Sequence, residues 1–246
     1  MHPTRIAELL QPFLSPIPNP CHSELGQRPG EEPAALSPSQ LNHISTYIDI
    51  LLHWNSRINL TAIRNEEEIV TRHFGESLFA ARHLFPEVYP VPSVSPVVKA
   101  FDSSGNRVAD LGSGAGFPGI PIKLWAPQIS LTLIESHQKK ATFLREVARA
   151  LTLTDIDIQN TRAEALPPRT FDLVTLRAVE RFAQTLPTAA ALLTPAGRLV
   201  LFISSSQLET AQATLPHLLW QDAIPIPKSE SRHLLIGHPE PTNVKK

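Results

Sequence analysis

The chain of 246 residues lacks several features that would point to particular classes of protein. It has one cysteine, Cys21, so it can build neither a disulfide framework nor a cysteine-based zinc site. No apolar run approaches the roughly 20 residues that span a bilayer, and the N-terminus lacks the basic-then-apolar pattern of a signal peptide. The formal net charge is −1, so no global field attracts the protein to nucleic acid. We therefore expect a cytoplasmic protein in which any RNA contact uses a local basic patch.

Proline, in contrast, is abundant. The 24 prolines are about twice the average share, and they concentrate outside the central region of the chain. Their distribution divides the chain into six predicted regions. These are an N-terminal helix (1–14), a proline-rich linker (15–38), a helical subdomain (39–86), a proline-rich connection (87–106), an α/β domain (107–240) and a tail (241–246).

The central feature of the sequence is the stretch RVADLGSGAGFPG, residues 107–119. An apolar run that ends in glycines predicts a buried strand leading into a tight turn. Pro118 suits the start of a helix, where its missing N–H leaves no hydrogen bond unmade. The predicted unit is therefore a strand, a glycine loop with Gly112, Gly114 and Gly116, and a helix. Such a loop lets a ligand approach the backbone closely.

The glycines alone leave the ligand open. Gly114, Gly116 and Gly119 satisfy G-x-G-x-x-G, the dinucleotide fingerprint. Asp110, two residues before the first glycine, instead favours a cationic ligand end over a pyrophosphate. The pattern D-x-G-x-G-x-G, followed by the acidic Glu135 after the next strand, resembles the S-adenosylmethionine loop of class I methyltransferases.

Strands and helices alternate through the α/β domain, which predicts a parallel, doubly wound sheet. Near the C-terminus two predicted strands, around 220–224 and 232–237, follow each other without a helix, which predicts an antiparallel edge. Class I methyltransferases end this way, whereas NAD-binding domains usually do not. The predicted fold is therefore a Rossmann-like α/β sheet of seven strands, the last antiparallel, with an N-terminal helical extension.

Ligands of doubly wound sheets bind at the carboxyl ends of the strands. Glu135 ends the second strand and is placed to accept hydrogen bonds from ribose hydroxyls. Ala163 and Glu164 follow the third strand, where they would flank an adenine. Arg177 ends the fourth strand at the predicted mouth of the site. It could contact a phosphate, stack on a base or pair with the nearby Glu180.

The absence of two catalytic motifs narrows the range of atoms that the protein could methylate. Methylation at pyrimidine C5 normally needs a cysteine nucleophile, and Cys21 lies in the predicted linker. Methylation of exocyclic amines typically uses an (Asp/Asn/Ser)-Pro-Pro-aromatic motif after the fourth strand, where this chain has Leu176-Arg177-Ala178-Val179. Guanine N7 has an in-plane lone pair and no proton, so orientation and electrostatics suffice for its methylation. The sequence permits N7 methylation.

Several motifs together resemble one family. They are WNSRINLTAI (54–63), DLGSGAGFPGIPIKL (110–124), LTLIESHQKKATFLREV (131–147), FDLVTLRAV (171–179) and RHLLI (232–236). In this order they resemble the bacterial glucose-inhibited division protein B family, the 16S ribosomal RNA guanine-N7 methyltransferases. One departure is Glu76-Ser77-Leu78, where that family usually has Asp-Ser-Leu.

The resemblance implies S-adenosylmethionine-dependent methylation of one guanine near the decoding site of 16S ribosomal RNA. The substrate would be either the free RNA or the small ribosomal subunit. We expect the protein to be monomeric. The resemblance also implies cofactor contacts from Gly112, Phe117, Ala163, Glu164 and Arg177. From its position at the end of the fourth strand, where the methyl end of the cofactor and the target base would meet, we predict Arg177 as the catalytic residue, and we expect no metal. Two alternatives stay open. One is a class I methyltransferase for a small molecule or a protein, and the other is a nicotinamide-dependent oxidoreductase or a non-catalytic module that keeps the loop.

A local basic surface is also predicted, because basic residues recur on the helices. On an apolar helix face a histidine is more often packed in the core than in contact with RNA, and we expect this of His73. The candidates for RNA contact are Arg57, Arg64, Arg72, His73, Lys123, Lys139, Lys140, Arg145 and Arg149.

Overall fold

The computed structural model describes residues 1–15, 35–86 and 106–240. Cys21, most of the two predicted proline-rich segments and the predicted tail lie outside these residues, and the division into six regions stays a prediction. Within the described ranges, no helix combines the length and the apolar character that crossing a bilayer requires.

In the part of the chain before the sheet that the structure describes, three helical stretches pack against one another. The second begins with a capping box. The Ser37 hydroxyl accepts from the Gln40 amide at 3.3 Å, and the Gln40 side chain accepts from the Ser37 amide at 2.8 Å. The sequence predicts one regular helix for the third stretch, but a wider π-helical turn interrupts it. The elements are α1 (Pro3–Leu14), α2 (Pro38–Asn55), α3 (Glu66–Glu68), the π-helical segment (Ile69–Gly75) and α4 (Glu76–Leu84).

The α/β domain alternates strands and helices as predicted. Its strands are β1 (Arg107–Leu111), β2 (Ser130–Ile134), β3 (Ile156–Gln159), β4 (Phe171–Arg177), β5 (Leu193–Ser204), β6 (Leu218–Trp220), β7 (Ile224–Pro225) and β8 (Arg232–Pro239). Its helices are α5 (Gly119–Trp125), α6 (Gln138–Ala150), α7 (Phe182–Ala191) and α8 (Leu208–Thr214).

The described strands form one sheet in the order β3-β2-β1-β4-β5-β8-β6, with β7 paired to β8. Pairing is parallel from β3 through β5, and β8 is antiparallel to β5. This topology confirms the predicted fold class. The sheet has eight strands rather than seven, because the predicted strand near residues 220–224 is split into β6 and β7. The second piece ends at Pro225, after which the Ile226 amide still donates to the Arg232 carbonyl at 3.0 Å.

Two apolar layers cover the two faces of the sheet. Val108 and Leu173 pack with the N-terminal helices, α5 and α6, whereas their neighbours Ala109 and Val174 pack with α7 and α8. Side chains alternate between the faces along a strand. The same alternation turns three polar side chains toward the N-terminal helices, namely Asp110, Thr175 and Arg177.

Candidate active site

The glycine loop, residues 112–117, joins β1 to α5 at the carboxyl edge of the sheet. Its three glycines, Gly112, Gly114 and Gly116, have φ angles of 66, 54 and 84°, which only glycine adopts readily. The amides of Gly112 and Ser113 donate to the Ile134 carbonyl at 2.9 and 3.1 Å. The loop is therefore a fixed turn fastened to the end of β2.

Glu135 lies against this loop, where the sequence predicts it. One carboxylate oxygen accepts from the Gly114 amide at 2.9 Å and the other from the His137 amide at 2.7 Å. The Asn160 side chain at the end of β3 donates to the Glu135 carbonyl at 2.9 Å. A carboxylate offers about four lone-pair sites, so Glu135 keeps the capacity to accept from ribose hydroxyls.

Asp110 lies beneath the loop and is 1% exposed. Its Oδ1 accepts from the Thr175 hydroxyl at 2.8 Å, and its Oδ2 accepts from the Gly119 amide at 3.3 Å. Burial raises the pKa of Asp110 to about 6, although these two hydrogen bonds act in the opposite direction. Because Asp110 is buried beneath the loop, its carboxylate would act on a ligand through its charge rather than through direct contact.

These carboxylates distinguish the loop from a pyrophosphate site. Dinucleotide-binding folds place the pyrophosphate on free N–H groups of the loop and of the helix that follows it. Here the Gly114 amide donates to Glu135, and the Gly119 amide, the first of α5, donates to Asp110. The two carboxylates would also repel a phosphate. The loop therefore suits a ligand with a cationic group and hydroxyls.

Arg177 extends from the end of β4 into the layer between the sheet and α4, with 12% of its side chain exposed. Its Nη2 lies 2.9 Å from Oε2 of Glu76 and donates to the Arg72 carbonyl at 2.5 Å. Its Nη1 lies 3.4 Å from the His73 carbonyl. The partner of Arg177 is thus Glu76 and not Glu180, because the strand alternation turns Arg177 toward the helices.

Glu76 is 1% exposed and forms ion pairs with two arginines. Its Oε1 lies 2.6 Å from Nη2 of Arg232, the first residue of β8. Burial raises the pKa of Glu76, while Arg177, Arg232 and Arg72 lower it, and burial has the larger effect. Glu76 therefore joins α4, β4 and β8, at the position where the sequence departs from the Asp-Ser-Leu pattern.

Phe117 is packed between aromatic side chains of the N-terminal helices and is 7% exposed. The ring of His73 lies nearly parallel to it at 4.6 Å, and the ring of Tyr47 at 5.3 Å. His73 Nε2 is 2.8 Å from the Thr61 hydroxyl. Burial, with help from three nearby arginines, lowers the pKa of His73 to about 3, so the ring is neutral near pH 7. His73 is half-buried and packs against Phe117, and its expected place in the core rather than in contact with RNA stays a prediction.

The remaining predicted residues differ in position. Ala163 and Glu164 lie on a single 3-10 turn after β3, Ala163 half-buried and Glu164 exposed. Their contact with a ligand stays a prediction. Among the described residues, no three His, Cys, Asp or Glu side chains come together as a metal site would require.

Two site residues escaped the sequence analysis, although each left a signal. Thr175 is the one polar side chain within the apolar run LVTL of β4, and it pairs in register with Asp110. Tyr47 lies on the apolar stripe of α2, three residues after Ile44, which marks it as buried.

One candidate for RNA contact is wrong. Lys123 is 2% exposed, and its Nζ donates to the carbonyls of Pro127 and Ile129 at 2.7 and 2.5 Å. The Lys123 ammonium group provides hydrogen bonds to these two backbone carbonyls and is not available to a substrate. The candidates that are exposed in the structure are Arg57, Arg64, Lys139, Arg145 and Arg149.

The fold has relatives among solved structures. The ribosomal protein L11 methylase of Lactobacillus delbrueckii subsp. bulgaricus matches with a TM-score of 0.50 at 19% identity, over 67% of this chain and 79% of that one. Pyrococcus horikoshii TYW2, solved in complex with MeSAdo, also gives 0.50, at 14% identity over 67% of this chain and 61% of that one. At these identities the likeness concerns the fold alone.

Comparison of sequences is more specific. Two similar proteins are both named ribosomal RNA small subunit methyltransferase G. The protein from Bacillus pumilus (strain SAFR-032) is 35% identical over 74% of this chain and 72% of its own length. The protein from Xylella fastidiosa (strain 9a5c) is 35% identical over 77% of this chain and 82% of its own length. A family model described as rRNA small subunit methyltransferase G matches residues 40–224. The recognition made from the sequence motifs is thereby confirmed, and the chain belongs to the rRNA small subunit methyltransferase G family.

Proposed function

We propose that this protein transfers a methyl group from S-adenosylmethionine to N7 of guanine 527 in 16S ribosomal RNA. Membership of the family makes the protein an rRNA small subunit methyltransferase with S-adenosylmethionine as its cofactor. The acceptor atom and the nucleotide are the proposal. The observation that supports the acceptor atom is that the acidic and imidazole groups beside the loop are held by protein partners, whereas the nucleotide rests on the resemblance to the family.

The residues of the loop fit S-adenosylmethionine. A Cβ added at Gly114 would find its nearest atom, the Gly112 carbonyl oxygen, at 3.6 Å, so the chain leaves this surface open for a ligand. Glu135 would hold the ribose hydroxyls, while Gly112 and Phe117 would line the cofactor. The negative charge of Asp110 and Glu135 favours the cationic end of this molecule and disfavours NAD. When bound, S-adenosylmethionine supplies a methyl group on a positively charged sulfur.

The protein groups near the loop suit an acceptor that loses no proton. Both oxygens of Asp110 have protein donors, and each oxygen of Glu135 accepts from a backbone amide. Burial lowers the pKa of His73 to about 3, so its ring is a weak base near pH 7, and its Nε2 is engaged by Thr61. Guanine N7 offers a lone pair without a proton, so its methylation asks the protein only for orientation. Arg177, fixed by Glu76 at the end of β4, is the residue proposed to orient the base.

The substrate requires a basic surface beside this edge. Exposed Lys139, in the first turn of α6, supplies positive charge beside Glu135, whereas Arg145 and Arg149 lie farther along the helix and away from this edge. We assign a contact with an RNA phosphate to Lys139. With a ribosomal substrate, the proposed site of action is the cytoplasm. The monomeric state stays a prediction that size-exclusion chromatography with light scattering measures.

The test is methyl transfer from labelled S-adenosylmethionine to small ribosomal subunits, and separately to free 16S ribosomal RNA, from a strain that lacks the methyltransferase. We expect label in the RNA and borohydride–aniline cleavage at guanine 527. Subunits with adenine at that position are the control and should stay unlabelled. Label in a protein or a small molecule instead would support the first alternative. Calorimetry that detects NAD binding and no S-adenosylmethionine binding would support the second.

A further inference from the structure

Tyr47, on α2, touches the glycine loop from outside the α/β domain. Its hydroxyl donates a short hydrogen bond to the carbonyl of Ala115, between the second and third glycines. The side chain is completely buried. Burial, with a smaller effect of Asp110, raises the pKa of Tyr47 well above its usual value, so the phenol stays protonated and remains a donor.

The contact with Gly116 is equally close. A Cβ at Gly116 would overlap the Tyr47 hydroxyl and would come within 2.8 Å of Ile120 Cδ1. Glycine at the third position of the loop is therefore required by the approach of Tyr47 as well as by its φ of 84°. At Gly114, in contrast, the chain leaves room for a side chain.

Aromatic packing continues the contact along the loop. The Tyr47 ring lies at 5.3 Å from Phe117 with an angle of 6° between the planes. Phe74, from the π-helical segment, meets both rings edge-on at 5.2 and 5.0 Å. Such contacts between rings add to the effect of burial alone. Three successive residues of the loop, 115–117, are thus held by Tyr47.

The helix that carries Tyr47 is itself anchored near both ends. Near its start, the Gln40 side chain donates to the Leu124 carbonyl of α5 at 2.7 Å. Near its end, the Trp54 indole donates to the Glu146 carboxylate of α6 at 3.1 Å. Movement of Tyr47 relative to the α/β domain is therefore restrained, and α2 can hold the loop in one conformation.

We infer that Tyr47 is a positioning residue for the methyl donor, which it serves by fixing the peptide of Ala115 and the ring of Phe117. This inference rests on the proposed function only in taking the glycine loop as the site of S-adenosylmethionine. It assigns to the N-terminal helices a role in binding the cofactor. Binding of the cofactor costs less conformational entropy when the loop is already fixed before binding.

The test compares Tyr47→Phe, which removes only the hydroxyl, with Tyr47→Leu, which also removes the ring. Ser45→Ala is the matched control, because Ser45 lies on the same helix and its hydroxyl donates to the Met1 carbonyl at 2.7 Å. Calorimetry with S-adenosylhomocysteine should show binding about 5- to 10-fold weaker for Tyr47→Phe, weaker still for Tyr47→Leu and unchanged for Ser45→Ala. Hydrogen exchange of residues 114–117 should quicken in the same order, in the absence of any ligand.

A kinetic measurement separates positioning from chemistry. Tyr47→Phe should raise the KM for S-adenosylmethionine while kcat at saturating cofactor stays within about twofold. If Tyr47→Phe is folded and binds as tightly as the wild type, the inference is overturned and the proposed function stands. If the wild type itself binds no S-adenosylhomocysteine, the proposed function fails, and loop exchange in Tyr47→Phe still tests whether the hydroxyl fixes the loop.

Discussion

The guanidinium of Arg177 and the carboxylate of Glu76 form a buried ion pair, with Nη2 and Oε2 2.9 Å apart. These residues are 101 positions apart in the sequence, and their contact ties the end of β4 to the start of α4. The second oxygen of Glu76 lies 2.6 Å from Arg232 of β8. One carboxylate therefore holds the helical layer on two strands of the sheet.

Replacement of Glu76 by glutamine should strongly destabilise the fold. The change leaves Arg177 and Arg232 without their counter-ion, and breaking a buried pair costs about 3–5 kcal/mol. Urea denaturation measures the loss of unfolding free energy. Glu76→Asp keeps the charge and should cost less. Glu68→Gln is the control, since its exposed pair with Arg72 at 3.1 Å is worth under about 1 kcal/mol. Equal effects of the Glu76→Gln and Glu68→Gln changes would show that the Glu76 pair contributes little.

Replacement of Arg177 by alanine should reduce methyl transfer by about 100-fold, as expected when a reacting group loses its position. Some stability is lost as well, because Glu76 and the carbonyls of Arg72 and His73 lose a donor. Arg177→Lys should restore little, since an ammonium cannot reproduce the planar fork. Single-turnover transfer is measured at a temperature at which every variant is folded. A rate near that of the wild type in Arg177→Ala would make Arg177 purely structural.

Gly114→Ala and Gly116→Ala should fail in different ways. Both put a side chain at positive φ, which costs about 1–2 kcal/mol. At Gly114 the Cβ meets only the Gly112 carbonyl oxygen, at 3.6 Å, so the main loss should be in cofactor affinity. At Gly116 the Cβ overlaps Tyr47, so the thermal midpoint should fall further. Calorimetry and thermal unfolding separate the two losses, and unchanged binding by Gly114→Ala would exclude that position from the cofactor site.

Acid should destabilise the protein through His73. Its pKa is about 3 in the folded chain and near 6.5 when unfolded, so the unfolded state takes up the proton first. The stabilisation is complete above pH 6.5 and is lost as the pH falls toward 3, by up to about 1.4 kcal/mol per pH unit. Asp110, with its pKa raised to about 6, acts in the opposite direction between pH 4 and 6.

The difference between wild type and His73→Gln isolates the histidine. Denaturation in urea from pH 7.5 to 4 should show a shallower pH dependence in this variant. His53→Gln, at an exposed position of α2, should follow the wild type. Parallel curves for wild type and His73→Gln would mean that His73 titrates normally in the folded chain.

Local patterns determined what could be predicted from the sequence. The unit β1–glycine loop–α5 has the bounds that were expected, because its apolar run, glycines and helix start are all encoded within 19 residues, 107–125. The start of β5 was missed. The apolar run after Gly197 predicts a strand that begins at Arg198. In the structure β5 begins at Leu193, which pairs with Phe171, and that pairing depends on β4.

Local sequence patterns could not predict which residues the site residues contact. Arg177 has a nearby acidic residue in the sequence, Glu180, and only the docking of α4 on the sheet shows that Glu76 replaces it. The contact of Tyr47 with the glycine loop depends in the same way on how α2 lies across α5 and α6. Local signals placed each residue correctly on its element, whereas the contacts between elements required the three-dimensional structure.

The π-helical segment affects how the chain can tolerate the insertion or deletion of a residue. A helical residue turns the chain by about 100°, so an inserted or deleted residue changes which side of a helix faces the core. The segment lets Ile69 and Val70 pack in the core while Glu76, at the start of α4, reaches the arginines. It acts as an angular spacer between two docking faces. A π-helical turn closes i→i+5 hydrogen bonds and takes up one residue more than an α-helical turn. Deletion of Thr71 should therefore let the segment close as a regular α-helix, with Ile69 and Glu76 still on their own faces.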